Sequence, residues 1–160
     1  MNAMTIRFQL LATALTLALA TSAAFAAPGH GGGHNHGVPY GEPGDTKAKA
    51  REIHVTMTDE MRFLPASIMV SRGETIRFVV KNAGALRHEM TLGTMAELLE
   101  HAKVMEQHPE MEHDDPNAVT VEPGMSKTML WKFTKAGSFD FGCLVPGHMP
   151  AGMKGRIIVR

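Results

Sequence analysis

The chain has 160 residues with sixteen basic and sixteen acidic side chains, the size of one ordinary domain with no net charge to select a polyanion or an anionic membrane. A single cysteine excludes an internal disulfide, and the composition excludes a disulfide scaffold, a basic nucleic-acid binder and a polytopic membrane protein. What stands out is thirteen methionines and nine histidines, both soft or borderline metal ligands.

Met1 to Ala26 carries one charge, Arg7, followed by an apolar run from Phe8 to Ala20 and an A-x-A ending at Ala26. This pattern predicts a secretory signal peptide, residues 1–26, cleaved after Ala26. The apolar run is shorter than the roughly 20 residues that a spanning helix needs. The expected product is exported, periplasmic and monomeric, with no membrane span after cleavage. Export sharpens the cysteine question. A lone thiol in an oxidising compartment invites oxidation unless it is buried or ligated.

Residues 27–46 are dominated by Gly, Pro and His, including His30, His34 and His36, and read as a disordered leader with no apolar face to offset its ordering entropy. Residues 47–160 form the expected domain. Ile53, Val55 and Met57 alternate with polar neighbours, and so do Ile76, Phe78 and Val80. Met129, Trp131 and Phe133 repeat the pattern, as do Phe139, Phe141 and Cys143, and finally Ile157 and Val159. Period-two runs broken by Arg72-Gly73, Asn82-Ala83-Gly84, Pro123-Gly124 and Ala136-Gly137 predict an antiparallel sandwich or barrel. One segment differs. Residues 94–107 place Met95, Leu98, Leu99, Ala102 and Met105 at helical spacing behind the capping box Thr94-x-x-Glu97, so a single inserted helix is expected, with a polar tail through Asp114 and Asp115.

Cys143, His148 and Met153 lie five residues apart on a Pro/Gly-rich loop between two predicted strands. A loop can turn three side chains toward one point. Thiolate, imidazole and thioether together suit copper, whereas methionine is not among the usual ligands of zinc. Met149 competes with Met153 as the thioether donor; otherwise it is expected as apolar surface beside His148. A trigonal site also needs a second histidine. His88, after the turn Asn82-Ala-Gly-Ala-Leu-Arg87, is the candidate, with His54 on a strand edge as its competitor.

Phe139-x-Phe-x-Cys143, Pro146-Gly-His148, Gly152-Met153 and Asn82-x-Gly84 leading to His88 together make the sequence resemble the cupredoxins, the plastocyanin/azurin-like type 1 copper proteins. The resemblance spans about residues 50–160. It implies an all-β Greek-key sandwich of eight or so strands holding one type 1 copper. His88, Cys143 and His148 would be equatorial ligands and Met153 the axial one. Two positions depart from the common pattern: Glu89 follows the first histidine and Leu144 follows the cysteine, both where hydrogen bonding to the sulfur is set.

Three function classes follow. Met90, Met95, His101, Met105, His108, Met111 and His113 gather on or near the insert. With the His-rich leader, they resemble the equipment of small periplasmic cupredoxins of bacterial copper tolerance, and either group is a place for additional weakly bound copper. The alternative is a mobile periplasmic electron carrier. It would meet a transient redox partner at an apolar patch around His148, made of Leu144, Val145, Pro146, Met149, Pro150 and Ala151 with Ala83, Ala85 and Leu86. A copper enzyme is disfavoured, since a multicopper oxidase needs several His-x-His pairs and only His34-x-His36 is present.

Overall fold

The computed structural model describes Val38, residues 40–109 and residues 115–160. The expected signal peptide, His30, His34, His36, Met111, His113 and Asp114 lie outside the described residues.

Among the described residues ten strands and one helix follow in order: β1 (Gly41–Pro43), β2 (Arg51–Thr58), β3 (Arg62–Leu64), β4 (Ser67–Val70), β5 (Thr75–Asn82), β6 (His88–Gly93), α1 (Met95–Gln107), β7 (Ala118–Val121), β8 (Ser126–Phe133), β9 (Gly137–Gly142) and β10 (Lys154–Val159). They form two five-stranded sheets, β1-β8-β5-β2-β3 and β4-β10-β9-β6-β7. The alternating segments of the sequence are β2, β5, β8, β9 and β10, and their apolar positions make one core between the sheets. Burial of this kind is worth roughly 25 cal/mol per Å² of apolar surface. Aromatic rings brace the core, with Phe63 edge-on to Phe141 at 5.0 Å and Tyr40 tilted against Trp131 at 5.7 Å and Phe139 at 5.4 Å.

The all-β sandwich with one helix is as expected, with three refinements. First, the ladder is not purely antiparallel: β2 runs parallel to β5, and β4 parallel to β10. Side-chain alternation has the same period in both pairings and is blind to strand direction. Second, the strands exceed eight because β1, β3 and β4 are too short to show a period. Third, order begins before residue 47. Tyr40 is 2 % exposed and its hydroxyl donates to the Leu92 carbonyl, while Gly41–Pro43 pairs with Trp131–Phe133. One aromatic side chain and one ladder are enough to dock this segment, although its Gly/Pro composition signals disorder.

The helix begins where the sequence places it. Thr94 caps it, accepting from the Glu97 amide while the Glu97 carboxylate accepts from the Thr94 amide. Leu98 and Met105 face inward and form a second cluster with Leu144 and Met149. α1 packs on β6 and β9. β6 is consequently buried along its whole length, including the polar Glu89 and Thr91 on the face away from the other sheet. Among the described residues no helix is long and apolar enough to cross a membrane.

Candidate metal centre

β6 and β9 are antiparallel neighbours, so the start of one and the end of the other meet at the same end of the sandwich. His88 opens β6, on the same face as Met90 and Leu92, and Cys143 follows β9, on the same face as Phe139 and Phe141. Both side chains therefore point into the space between the sheets.

The loop from Cys143 to Met153 folds back on itself. The His148 amide donates to the Val145 carbonyl at 3.0 Å, Gly152 to Met149 at 3.0 Å and Met153 to His148 at 3.1 Å. Gly147 and Gly152 supply the left-handed backbone, at φ +85° and +107°. The loop is then closed by the Cys143 amide donating to the Met153 carbonyl at 3.1 Å, which puts its first and last candidate ligands side by side. Met153 is fully buried against the main core.

The result is a convergence of three donors. His88 Nδ1 stands 3.2 Å from His148 Nδ1, which stands 3.3 Å from Cys143 Sγ, and the three atoms all lie within 4.8 Å of one another. Trigonal ligands at about 2.0–2.3 Å from a metal stand roughly 3.4–4.0 Å apart, so the two pairs that include His148 stand within a few tenths of an ångström of that spacing. Thiolate and two imidazoles are the donor set that copper accepts in both oxidation states. The residues fit the metal.

Electrostatics at the site follow from burial. The Cys143 thiol is pushed up to about 12, chiefly by desolvation, against the pull of amides from Glu89 and Val145. His148 is held below the usual histidine range by burial and by the neighbouring His88. It therefore stays neutral, and able to bind a metal, to a lower pH than a free imidazole. His88 is fully buried and its Nε2 lies 3.0 Å from Asp59 Oδ1.

The two departures, Glu89 and Leu144, leave the sulfur's hydrogen bonds intact because both come from the main chain. The Glu89 amide donates to Cys143 Sγ at 3.3 Å, and the second donor is the Val145 amide. The Glu89 side chain turns to the opposite face, where its carboxylate accepts from the Thr91 hydroxyl.

Of the competing candidates, His54 is exposed and pairs with Glu52 at 2.8 Å, and it is not among the converging donors. Met149 is a correction: it is buried with Leu98, Met105 and Leu144 under α1, not on the surface. The turn at residues 146–152 places it toward the helix. Leu144 is buried likewise, so the exposed members of the expected patch are Pro146, Pro150, Ala151, Ala83, Ala85 and Leu86. Met90 and Met105 are core residues, Met95 and His101 are half-buried, and His108 is exposed.

Sequence reasoning passed over Asp59 and the anchoring role of Asn82. Asn82 is completely buried; its Nδ2 donates to the Leu86 carbonyl at 2.7 Å and the Val121 carbonyl at 2.9 Å, and its Oδ1 accepts from the Gly84 amide at 2.9 Å. It thus holds the turn that delivers His88. Asn82→Ala leaves these groups unpaired and is expected to cost about 1–3 kcal/mol in urea unfolding of the metal-free protein. A change under about 0.5 kcal/mol would mean that the turn holds itself.

The chain matches the family model for copper binding proteins of the plastocyanin/azurin family over residues 49–160. It is 53% identical over 133 residues to the copper-resistant cuproprotein CopI of Rubrivivax gelatinosus, covering 82% of this chain and 81% of that one. It is 38% identical over 154 residues to the protein of the same name from Pseudomonas aeruginosa, covering 78% and 84%. Among solved structures, auracyanin from Roseiflexus castenholzii superposes with a TM-score of 0.60 at 20% identity, covering 71% of this chain and 99% of that one. Auracyanin A from Chloroflexus aurantiacus gives 0.61 at 22%, covering 70% and 100%. These two likenesses concern the fold. With the matched residues running from before β2 to the end of β10, the chain belongs to the plastocyanin/azurin family of copper-binding proteins.

Proposed function

We propose that the chain is a periplasmic type 1 copper protein that cycles between Cu(II) and Cu(I) and serves copper tolerance, with no catalytic turnover of its own. His88, Cys143 and His148 would hold the copper, with the Met153 thioether as the fourth donor. The observation that supports the site is the approach of His148 Nδ1 to His88 Nδ1 and Cys143 Sγ at 3.2–3.3 Å, with all three donors within 4.8 Å of one another. The tolerance role rests on the 53% identity to a copper-resistant cuproprotein across four fifths of both chains.

Copper bound here supplies a one-electron couple. The protein's part is to keep the donors where they are in both states. The loop is pinned by its own hydrogen bonds, His88 by the turn that Asn82 holds, and the thiol by two amides. Fixed donors mean little rearrangement on electron transfer. His148 is the only partly exposed member of the trio, so the electron's shortest protein route to solvent runs through its ring.

That exposed patch carries the second reading, a monomeric mobile electron carrier that docks a redox partner at Pro146, Pro150, Ala151 and Leu86. One experiment separates the two. Deleting residues 28–37 and replacing His101, His108 and His113 with glutamine is expected to make cells copper-sensitive while the visible spectrum of the purified protein survives. Unchanged growth in copper would instead favour the carrier.

A further inference from the structure

Asp59 lies in the turn between β2 and β3, in the sheet opposite to the one that carries His88. Its carboxylate nevertheless meets three groups of the His88 segment. Oδ2 accepts from the Ala85 amide at 2.7 Å, while Oδ1 accepts from the Leu86 amide at 3.2 Å and sits 3.0 Å from His88 Nε2. Gly84 makes room for it: a Cβ there would lie 2.0 Å from Asp59 Oδ1.

A carboxylate only accepts hydrogen bonds, so His88 Nε2 must carry the proton and Nδ1 must present a lone pair. That is the nitrogen facing His148 and Cys143. A neutral carbonyl at the same place would fix the same tautomer. An anion does more, because negative charge one imidazole away favours the more highly charged ion. The side chain of Asp59 is 37% exposed, so water screens this effect without removing it.

We propose that Asp59 is a positioning residue of the copper centre, holding His88 in its Nδ1-ligating form and biasing the site toward Cu(II) through its charge. The inference rests on the ligand set proposed above. Asp59→Asn keeps the size of the side chain and an oxygen able to accept from Nε2, but removes the charge. Gly84→Ala keeps the charge but displaces the carboxylate.

The test is a redox titration of the full-length copper-loaded protein and both variants, with Cu(II) and Cu(I) affinities measured by chelator competition. The metal-free forms are checked by circular dichroism. Asp59→Asn is expected to retain the thiolate-to-copper bands while its Cu(II) affinity falls about tenfold more than its Cu(I) affinity, which raises the potential by about 59 mV for a one-electron couple. Gly84→Ala should shift the potential in the same direction, and it decides the matter should Asp59→Asn fail to fold. Potentials equal to that of the unmodified protein in every folded variant would overturn the proposal. Absence of thiolate-to-copper bands in the unmodified protein is a different failure, that of the ligand set itself.

Discussion

Cys143→Ser abolishes the intense thiolate-to-copper absorption of the loaded protein and lowers its Cu(II) affinity by more than about 100-fold, the upper figure for losing an outer-shell partner alone. The substitution is nearly isosteric in a fully buried position, and a serine oxygen can still accept from the Glu89 and Val145 amides. Folding should therefore survive, and the loss should belong to the site. A second readout follows from the buried thiol. Held up to about 12, it is protonated throughout the neutral range in the metal-free protein. Binding the metal displaces that proton, so loading near pH 7 should release about one proton per copper, and apparent affinity should rise about tenfold per pH unit there. It should fall as pH drops, more steeply once His148 also takes up a proton. Cys143→Ser should release almost none. Colour that survives the substitution would refute the ligand assignment, leaving a histidine- and methionine-based copper site.

Phe141→Ala is expected to have the largest effect on stability, a loss of about 3–5 kcal/mol. Phe141 is completely buried at the centre of β9, edge-on to Phe63 at 5.0 Å across the two sheets. Its ring also occupies the side-chain space of Gly155 on β10, where a Cβ would lie 2.1 Å from Phe141 Cζ. Neither neighbour can collapse into the gap, since one is a rigid ring and the other has no side chain. Chemical unfolding of the metal-free protein measures the loss directly, and its thermal midpoint should fall by more than about 10 °C. A loss below about 1 kcal/mol would mean that β9 does not bear on the core as described. Because Phe141 and Cys143 share one face of the strand, the cavity opens beneath the metal centre, and weaker copper retention should accompany the loss of stability.

The candidate site was legible where its residues are close in sequence. Cys143, His148 and Met153 share one loop, and that loop's glycines and prolines signal its shape. His88 was legible only through the turn before it and the family pattern. Asp59 was not, because an aspartate beside a glutamate in a turn looks like any solvated loop, and its partner is 29 residues away. The same holds for the fold. Strands with several apolar positions on one face announce themselves by alternation, whereas β6, with Met90 and Leu92 as its only large apolar side chains, is too short a run to do so. Tyr40 lies amid glycine and proline, and only the tertiary structure reveals the aromatic pocket that receives it.

The parallel pairing of β4 with β10 also has a meaning in time. It joins Ser67–Val70 to Arg156–Val159, so the second sheet is completed only when the end of the domain has been made. Contacts this distant in sequence form late and slowly. The loop that holds Cys143 hangs between β9 and β10 and gains its closed form only with that last docking. Until then the sulfur lacks its burial and stands near its ordinary reactivity, and afterwards it is shielded by the sandwich. Oxidative damage to this protein should therefore strike the newly made chain and spare the finished one.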